Sequence, residues 1–194
     1  MNKRLLLVGL DWLRLKDPPI SLANANIAAS CQTICNVHTQ TFNVAYNQPA
    51  FDSLPDGYFD VVGVGSYVWA DKFIHLTLQK IREKYPTSTI LMGGPQITYA
   101  KGGNFLTQTY PLADGFVRGH GESAVKSFMK GAKKVSGIHL SSEFDTGTQA
   151  TSDFQSLPSP FLNGWIKPQR FIRWETQRGC PFQCSFCQHR DVNG

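Results

Sequence analysis

Arg4-Leu-Leu-Leu-Val-Gly-Leu10 is the stretch on which the reading of the fold turns. A half-exposed strand alternates apolar and polar residues, whereas a run that is apolar throughout needs cover on both faces. That predicts a central strand of a parallel sheet with helices on either side. Residues 11–20 read as a loop ending in Pro18-Pro19, the entry to a helix over about 21–32. Ile34 to Val44 alternates and reads as a second strand near an edge, and 49–58 as a short helical or turn segment. Asp60-Val-Val-Gly-Val-Gly-Ser66 is a third, buried strand with glycine in its tail. The strongest helix runs from about Ala70 to Tyr85, with an apolar stripe of Phe73, Ile74, Leu76, Leu78 and Ile81, and Pro86 stops it. A fourth strand, Thr89 to Met92, ends in Gly93-Gly94-Pro95. A helix over about 99–109, a fifth strand Gly115-Phe-Val117 and a last helix to about 132 follow. The expectation for residues 1–140 is therefore an α/β domain with a five-stranded parallel sheet.

In an open parallel sheet, ligands sit off the carboxyl ends of the strands. Gly63, Gly65, Gly93, Gly94, Gly119 and Gly121 gather at those predicted ends, where glycine permits tight turns and close approach of a ligand. Beyond residue 140 the composition shifts to Ser, Thr, Asp, Gln, Pro and Gly, so 141–168, with Leu157-Pro-Ser-Pro-Phe-Leu-Asn-Gly164, reads as a linker.

Bulk properties narrow the function. The chain has 194 residues, 41% hydrophobic and 17% charged, ordinary values for a globular protein. The net charge of +5 is scattered. Its densest cluster, Lys126, Lys130, Lys133 and Lys134, reads as a solvated helix face, so no nucleic-acid partner is expected. The apolar run before Asp11 is too short for a signal peptide or a membrane span, and no membrane partner is expected. Five cysteines, three of them in one array, fit a reducing cytoplasm, with Cys31 and Cys35 as small buried residues.

That array lies in Arg178-Gly-Cys-Pro-Phe-Gln-Cys-Ser-Phe-Cys-Gln-His-Arg190. Cys180, Cys184 and Cys187 stand in a Cys-x3-Cys-x2-Cys spacing, which lets one loop fold three thiolates around three corners of an iron–sulfur cube. With no fourth cysteine nearby, one iron keeps an open position where a substrate can bind. The competing assignment is zinc held by the same cysteines and His189, although zinc loops more often bring paired Cys-x2-Cys elements from two places.

The spacing, with Phe186 just before the third cysteine, resembles the signature of radical S-adenosylmethionine enzymes. The resemblance implies a 4Fe-4S cluster whose open iron chelates S-adenosylmethionine, and electron transfer that cleaves it to a 5′-deoxyadenosyl radical. It implies an electron donor of flavodoxin or ferredoxin type, with Phe186 beside the adenine. It also implies that Phe171-Ile-Arg-Trp-Glu-Thr-Gln177 is the first strand of a partial TIM barrel, delivering the cluster loop at its C-terminal end. Several strand–helix units of such a barrel are absent, so the chain reads as an N-terminal fragment, inactive alone, with 169–194 the truncated start of that domain.

Gly93-Gly94-Pro95, then Asp114-Gly-Phe-Val-Arg-Gly-His-Gly-Glu122, resembles the Rossmann-like, cobalamin-binding domain preceding the barrel in a large class of these enzymes. There the last segment commonly ends Gly-Glu-Gly-Glu; here His120 replaces the first Glu and Glu122 remains. Pro158-Ser-Pro-Phe-Leu162 matches that class too. The implied cofactor contacts are Asp11 and Trp12 after the first strand, Ser66, Tyr67 and Val68 after the third, and Gly93, Gly94, Pro95 and Gln96 after the fourth. Gly119, Gly121 and Glu122 after the fifth strand complete the set. Domains of the methionine-synthase type place a cobalt-ligating histidine after the first strand in Asp-x-His-x-x-Gly. Gly9-Leu-Asp-Trp-Leu-Arg-Leu-Lys16 has none, so the lower face of cobalt is expected to hold water or nothing. His38, His75 and His139 read as ordinary partly buried histidines. The implied activity is methyl transfer to an unactivated carbon of a small-molecule or peptide substrate. A radical enzyme whose first domain binds no cobalamin, and a non-catalytic cofactor- or metal-binding module, are the alternatives.

Overall fold

The computed structural model describes residues 3–45, 50–168, 172–178 and 184–186. Its centre is a six-stranded sheet of β1 (Arg4–Asp11), β2 (Asn36–Asn43), β3 (Val61–Gly65), β4 (Thr89–Gly93), β5 (Gly115–Val117) and β6 (Ile138–Leu140). The order is β2-β1-β3-β4-β5-β6, and the first five strands run parallel. Among the described residues five α-helices accompany it: α1 (Leu22–Cys31), α2 (Asp71–Lys84), α3 (Pro95–Thr98), α4 (Phe105–Thr109) and α5 (Gly121–Met129).

Strand periodicity sorts the side chains into two layers. Leu6, Val8, Leu10, Val62, Val64, Ile90, Met92 and Phe116 face one way and bury Phe73, Ile74, Leu78 and Ile81 of α2 together with Ile97 and Leu106. Leu5, Leu7, Val61, Leu91 and Val117 face the other way, toward Ala28 and Cys31 of α1 and Ala124, Val125 and Met129 of α5. β1 is therefore covered on both faces, as its unbroken apolar run requires. Each fully buried aliphatic side chain of this kind contributes about 1.5–3 kcal/mol.

Local chemistry sets the ends. Ser21 caps α1, its hydroxyl accepting from the Asn24 N–H at 3.2 Å. α2 grows from a 3-10 turn, Val68–Ala70, and stops at Tyr85, the residue before Pro86. β2 lies on the sheet edge, paired among the described residues only with β1. Cys31 and Cys35 are buried.

Three expectations need correction. The sheet has a sixth strand, and it is antiparallel: β6 pairs Val117 with Ile138 and Gly115 with Leu140. Three residues are too few to carry a readable period. Its packing depends on Gly115, where a Cβ would meet the Leu91 Cδ2 atom at 2.9 Å. The helix expected over 99–109 is two short helices, α3 and α4. Between them Gly102-Gly103 turns the chain, with Gly103 at φ +77° and its N–H donating to the Asp145 carbonyl at 2.7 Å. Leu76 faces outward on α2, and Thr77 is buried in its place because its hydroxyl donates to the Phe73 carbonyl at 2.8 Å. Of residues 171–177, expected as the first barrel strand, residue 171 lies outside the described residues and 172–177 have no ladder partner among them, as a lone strand without its neighbours would.

Within 141–168, expected as a linker, Asp145, Ala150 and Ile166 are buried against the domain. Asp145 receives Arg118, which is only 1% exposed, through Nε at 3.0 Å and Nη2 at 2.6 Å. The remaining guanidinium protons go to the carbonyls of Thr98, Ala100 and Lys101 at 3.1, 2.8 and 3.0 Å. Every donor of Arg118 is thus used, and two chain segments, 98–101 and the one carrying Asp145, are pinned beside the end of β5.

Candidate functional site

The carboxyl ends of β1, β3, β4 and β5 lie along one edge, because these strands are parallel and in neighbouring register. Toward α1 and α5 the sheet face carries Leu5, Leu7, Val61 and Leu91 in its lower half. In the upper half the same alternation places glycines: Gly63 two residues after Val61, then Gly65, and Gly93 two residues after Leu91. Gly63 pairs with Leu7 and Leu91, and Gly65 with Gly93. A sheet face that loses its side chains cannot touch the helices above it, so a slot opens between sheet and helices.

The slot is a cavity of about 570 Å³. Its floor is the strand residues just named, and its roof is Leu22, Ile27 and Asn24 of α1 with Gly121 and Val125 of α5. The roof is thin by composition, since α1 reads Leu22-Ala-Asn-Ala-Asn-Ile-Ala-Ala-Ser-Cys31 and offers few large side chains. At the strand ends the mouth is framed by Tyr67, Gly94, Pro95, Gly119 and His120. Gly94 has φ +98°, and a Cβ there would come within 2.6 Å of the Ser66 carbonyl oxygen, so only glycine lets the β3 and β4 loops meet. One end is polar: His120, Glu122 and Gln149 with Glu175 and Arg178 of the descending segment. Arg178 Nη2 donates to Glu122 Oε1 at 2.6 Å, and both side chains are 7% exposed. Burial opposes the Arg178 charge, but Glu122 and Glu175 outweigh it and hold the guanidinium more firmly protonated than usual. Tyr67 stacks on Trp69 with centroids 4.7 Å apart, and burial and then the nearby Asp11 push its hydroxyl up to about 12. It is a neutral donor.

The residues singled out from the sequence fall into three groups. Tyr67, Gly93, Gly94, Pro95, Gly119, Gly121 and Glu122 line the slot. Around its mouth, but outside the lining, Trp12 and Val68 are 64% and 71% exposed, Gln96 is half-buried and Ser66 is buried, its N–H donating to the Gly93 carbonyl at 2.7 Å. Asp11 ends β1 and is buried; burial raises its carboxyl above the usual range against the pull of Arg173. Cys184 and Phe186 are exposed, while Cys180 and Cys187 lie outside the described residues. Among the described residues no group of His, Cys, Asp and Glu forms a metal site. No helix among the described residues is long and apolar enough to cross a membrane.

The sequence reading missed His120, Asn24 and Arg178 at the slot. A period-2 count puts Gly63 and Gly65 on one face with Val61, and Gly93 on one face with Leu91, but only the register sets the two strands' glycines side by side.

No protein-family model matches the chain. Over 151 residues it is 28% identical to the cobalamin-dependent radical SAM methyltransferase TokK of Streptomyces tokunonensis, covering 66% of this chain and 22% of that protein. Over 153 residues it is 28% identical to the 2-(S-pantetheinyl)-carbapenam-3-carboxylate methyltransferase of Streptantibioticus cattleyicolor, with the same coverage. The chain resembles the cobalamin-dependent radical S-adenosylmethionine methyltransferases. It spans about a fifth of the length of these relatives. Its fold recurs in a solved structure of TsrM from Kitasatospora setae, a radical S-adenosylmethionine methyltransferase with cobalamin and a 4Fe-4S cluster bound. That match has a TM-score of 0.65 at 14% identity and covers 100% of this chain and 42% of TsrM.

Proposed function

We propose that this chain is the cofactor-binding N-terminal part of a cobalamin-dependent radical S-adenosylmethionine enzyme that transfers a methyl group to an unactivated carbon. The observation that carries the reading is the glycine-floored slot opening at the strand ends. Gly63, Gly65 and Gly93 leave a flat space that side chains would fill, the shape a heteroaromatic nucleotide tail requires. At about 570 Å³ the slot has room for such a tail and not for a corrin, which would rest outside it against the exposed Trp12, Val68 and Trp69. The apolar roof and floor would exclude water from the tail, and Tyr67, Asn24 and His120 supply polar contacts at the walls. Cys180, Cys184 and Cys187 form a donor set that suits a 4Fe-4S cluster, with S-adenosylmethionine on its open iron. When bound, the cobalamin supplies a transferable methyl group and the cluster supplies the radical chemistry. The remaining partners follow from that chemistry: a small-molecule or peptide substrate, a one-electron donor of flavodoxin or ferredoxin type, and a cytoplasmic setting.

Titration with hydroxocobalamin tests the first half. Binding near one equivalent at micromolar concentration is expected, and its absence overturns the cobalamin reading. No protein nitrogen is expected on the cobalt, because Asp11-Trp12-Leu13 stands where a ligating histidine would be. The electron-spin spectrum of the reduced cobalt should lack histidine hyperfine splitting. If splitting appears, His120 is the imidazole to replace, since among the described residues it alone brings one to the slot. Anaerobic reconstitution with iron and sulfide tests the second half: about four irons per chain are expected, falling with each Cys→Ala change. Stoichiometric zinc without an iron-dependent absorption band would sink it.

A further inference from the structure

Among the described residues two arginine side chains are buried in ion pairs, and they are built differently. Arg118 spends every N–H on Asp145 and three carbonyls. Arg178 meets Glu122 through one contact, Nη2 to Oε1 at 2.6 Å, and braces itself on Glu175 at 3.0 and 2.9 Å. Its Nη1 and the Oε2 of Glu122 are both buried without a partner among the described residues. The guanidinium also lies over the Phe154 ring, 5.4 Å from the centroid. A fully satisfied pair is a permanent fixture; a single-pronged one with two unspent groups is a weaker hold.

We propose that Arg178 is a positioning residue: through Glu122 it latches the segment entering the three-cysteine loop onto the first turn of α5, at the polar end of the slot. Five observations converge on it. Ile172, Arg173, Trp174, Thr176 and Gln177 are exposed, so apolar burial does little to hold this segment. Among the described residues the other ion pair from it to the domain, Arg173 to Asp17, is long at 3.5 Å with the arginine half exposed, and so is weak. Arg178 stands two positions before Cys180, so where it is held sets where the cysteine loop begins. Glu122, in the first turn of α5, sits well at the positive end of that helix with or without its partner, so the latch closes on a preformed site. Both latch residues line the slot, so any occupant of the slot touches the element that positions the loop. The meaning given to the loop rests on the cluster reading above; the latch itself does not.

Limited chymotrypsin digestion of the full chain, without cofactors, tests it. In Arg178→Ala, cleavage after the exposed Trp174 should accelerate about tenfold or more while buried core sites such as Phe116 stay protected. Because that change leaves Glu122 buried and unpaired, the double variant Glu122→Gln with Arg178→Met provides the second arm and should free the same segment. The exchanged pair Glu122→Arg with Arg178→Glu should restore part of the protection, a rescue that general destabilisation by either substitution would not produce. Unchanged cleavage after Trp174 in both the single and the double variant overturns the latch, and so does uniform loosening of the segment together with the core strands. Iron content and hydroxocobalamin binding of the same samples report on the functional reading separately: a wild-type chain that binds neither cofactor yet shows the segment-specific response retains the latch and loses the function.

Discussion

Gly93→Val is expected to lower the affinity of this chain for hydroxocobalamin by about 100-fold or more while leaving the fold intact. The expectation comes from where the new side chain goes. A Cβ on Gly93 lies 3.6 Å from the Val117 carbonyl oxygen and 3.7 Å from Val117 Cβ, ordinary contacts that push nothing aside. Its backbone is ordinary strand, so valine is not strained there, and replacing a strand glycine removes a penalty of roughly 0.5–1 kcal/mol. The added methyls therefore enter the slot beside Gly65, its partner across the ladder. A 100-fold loss is about 2.7 kcal/mol, a reasonable effect for two methyls placed where a flat ring must lie. Isothermal titration with circular dichroism on the same sample measures both quantities. A folded Gly93→Val chain that binds hydroxocobalamin as tightly as the wild type would show that the slot does not hold the cofactor.

The largest stability effect is expected at the other buried arginine. Arg118→Met removes the cation and leaves Asp145 as an uncompensated buried charge, with the carbonyls of Thr98, Ala100 and Lys101 unpaired. Breaking one side of such a pair costs about 3–5 kcal/mol, a large share of the ~5–15 kcal/mol that holds a domain together. Replacing both sides, Arg118→Met with Asp145→Leu, should restore part of that loss, because no lone charge remains buried. The pH dependence follows the same pair. Burial pushes the Asp145 carboxyl up, but hydrogen bonds from Arg118 and the Gly147 N–H, with the Arg118 and His139 charges, bring it below its usual value. A carboxyl depressed in the folded state adds stability above its unfolded pKa of about 3.9, and that contribution is lost as pH falls through the folded value. Urea midpoints should therefore drop below about pH 4, and Asp145→Asn should flatten that part of the profile. A variant Arg118→Met with an unchanged midpoint at pH 7 would refute the account.

The folding pattern was legible where the period was long enough to count. Arg4–Asp11, Val61–Gly65 and Thr89–Gly93 are apolar at nearly every position, and burial on both faces is the cheapest way to remove such runs from water. Asp71–Lys84 carries its stripe at helical spacing, broken only where Thr77 could satisfy its hydroxyl against the backbone. These segments determine an α/β domain with parallel strands, and that in turn determines which edge the glycines share. The cysteine array was likewise legible as a candidate donor set, since three thiolates within eight residues need no distant partner to converge, although Cys180 and Cys187 lie outside the described residues.

What depended on partners far along the chain was settled only by the tertiary structure. β6 is three residues long and exists because Gly115 lets Leu91 and Leu140 close over β5. Arg118 stood in the sequence only as part of the segment before the last helix, and its burial became possible only when Asp145 and three carbonyls arrived from elsewhere. The slot is likewise an absence shared by β3 and β4 beneath a small-residue helix, visible only once the register sets Gly65 beside Gly93. Arg178 had no readable role until Glu122, 56 residues earlier, closed on it. Apolar burial is a local property of each segment and so is written into its pattern; the pairing of buried charges and the alignment of missing side chains belong to the register, which no single segment contains.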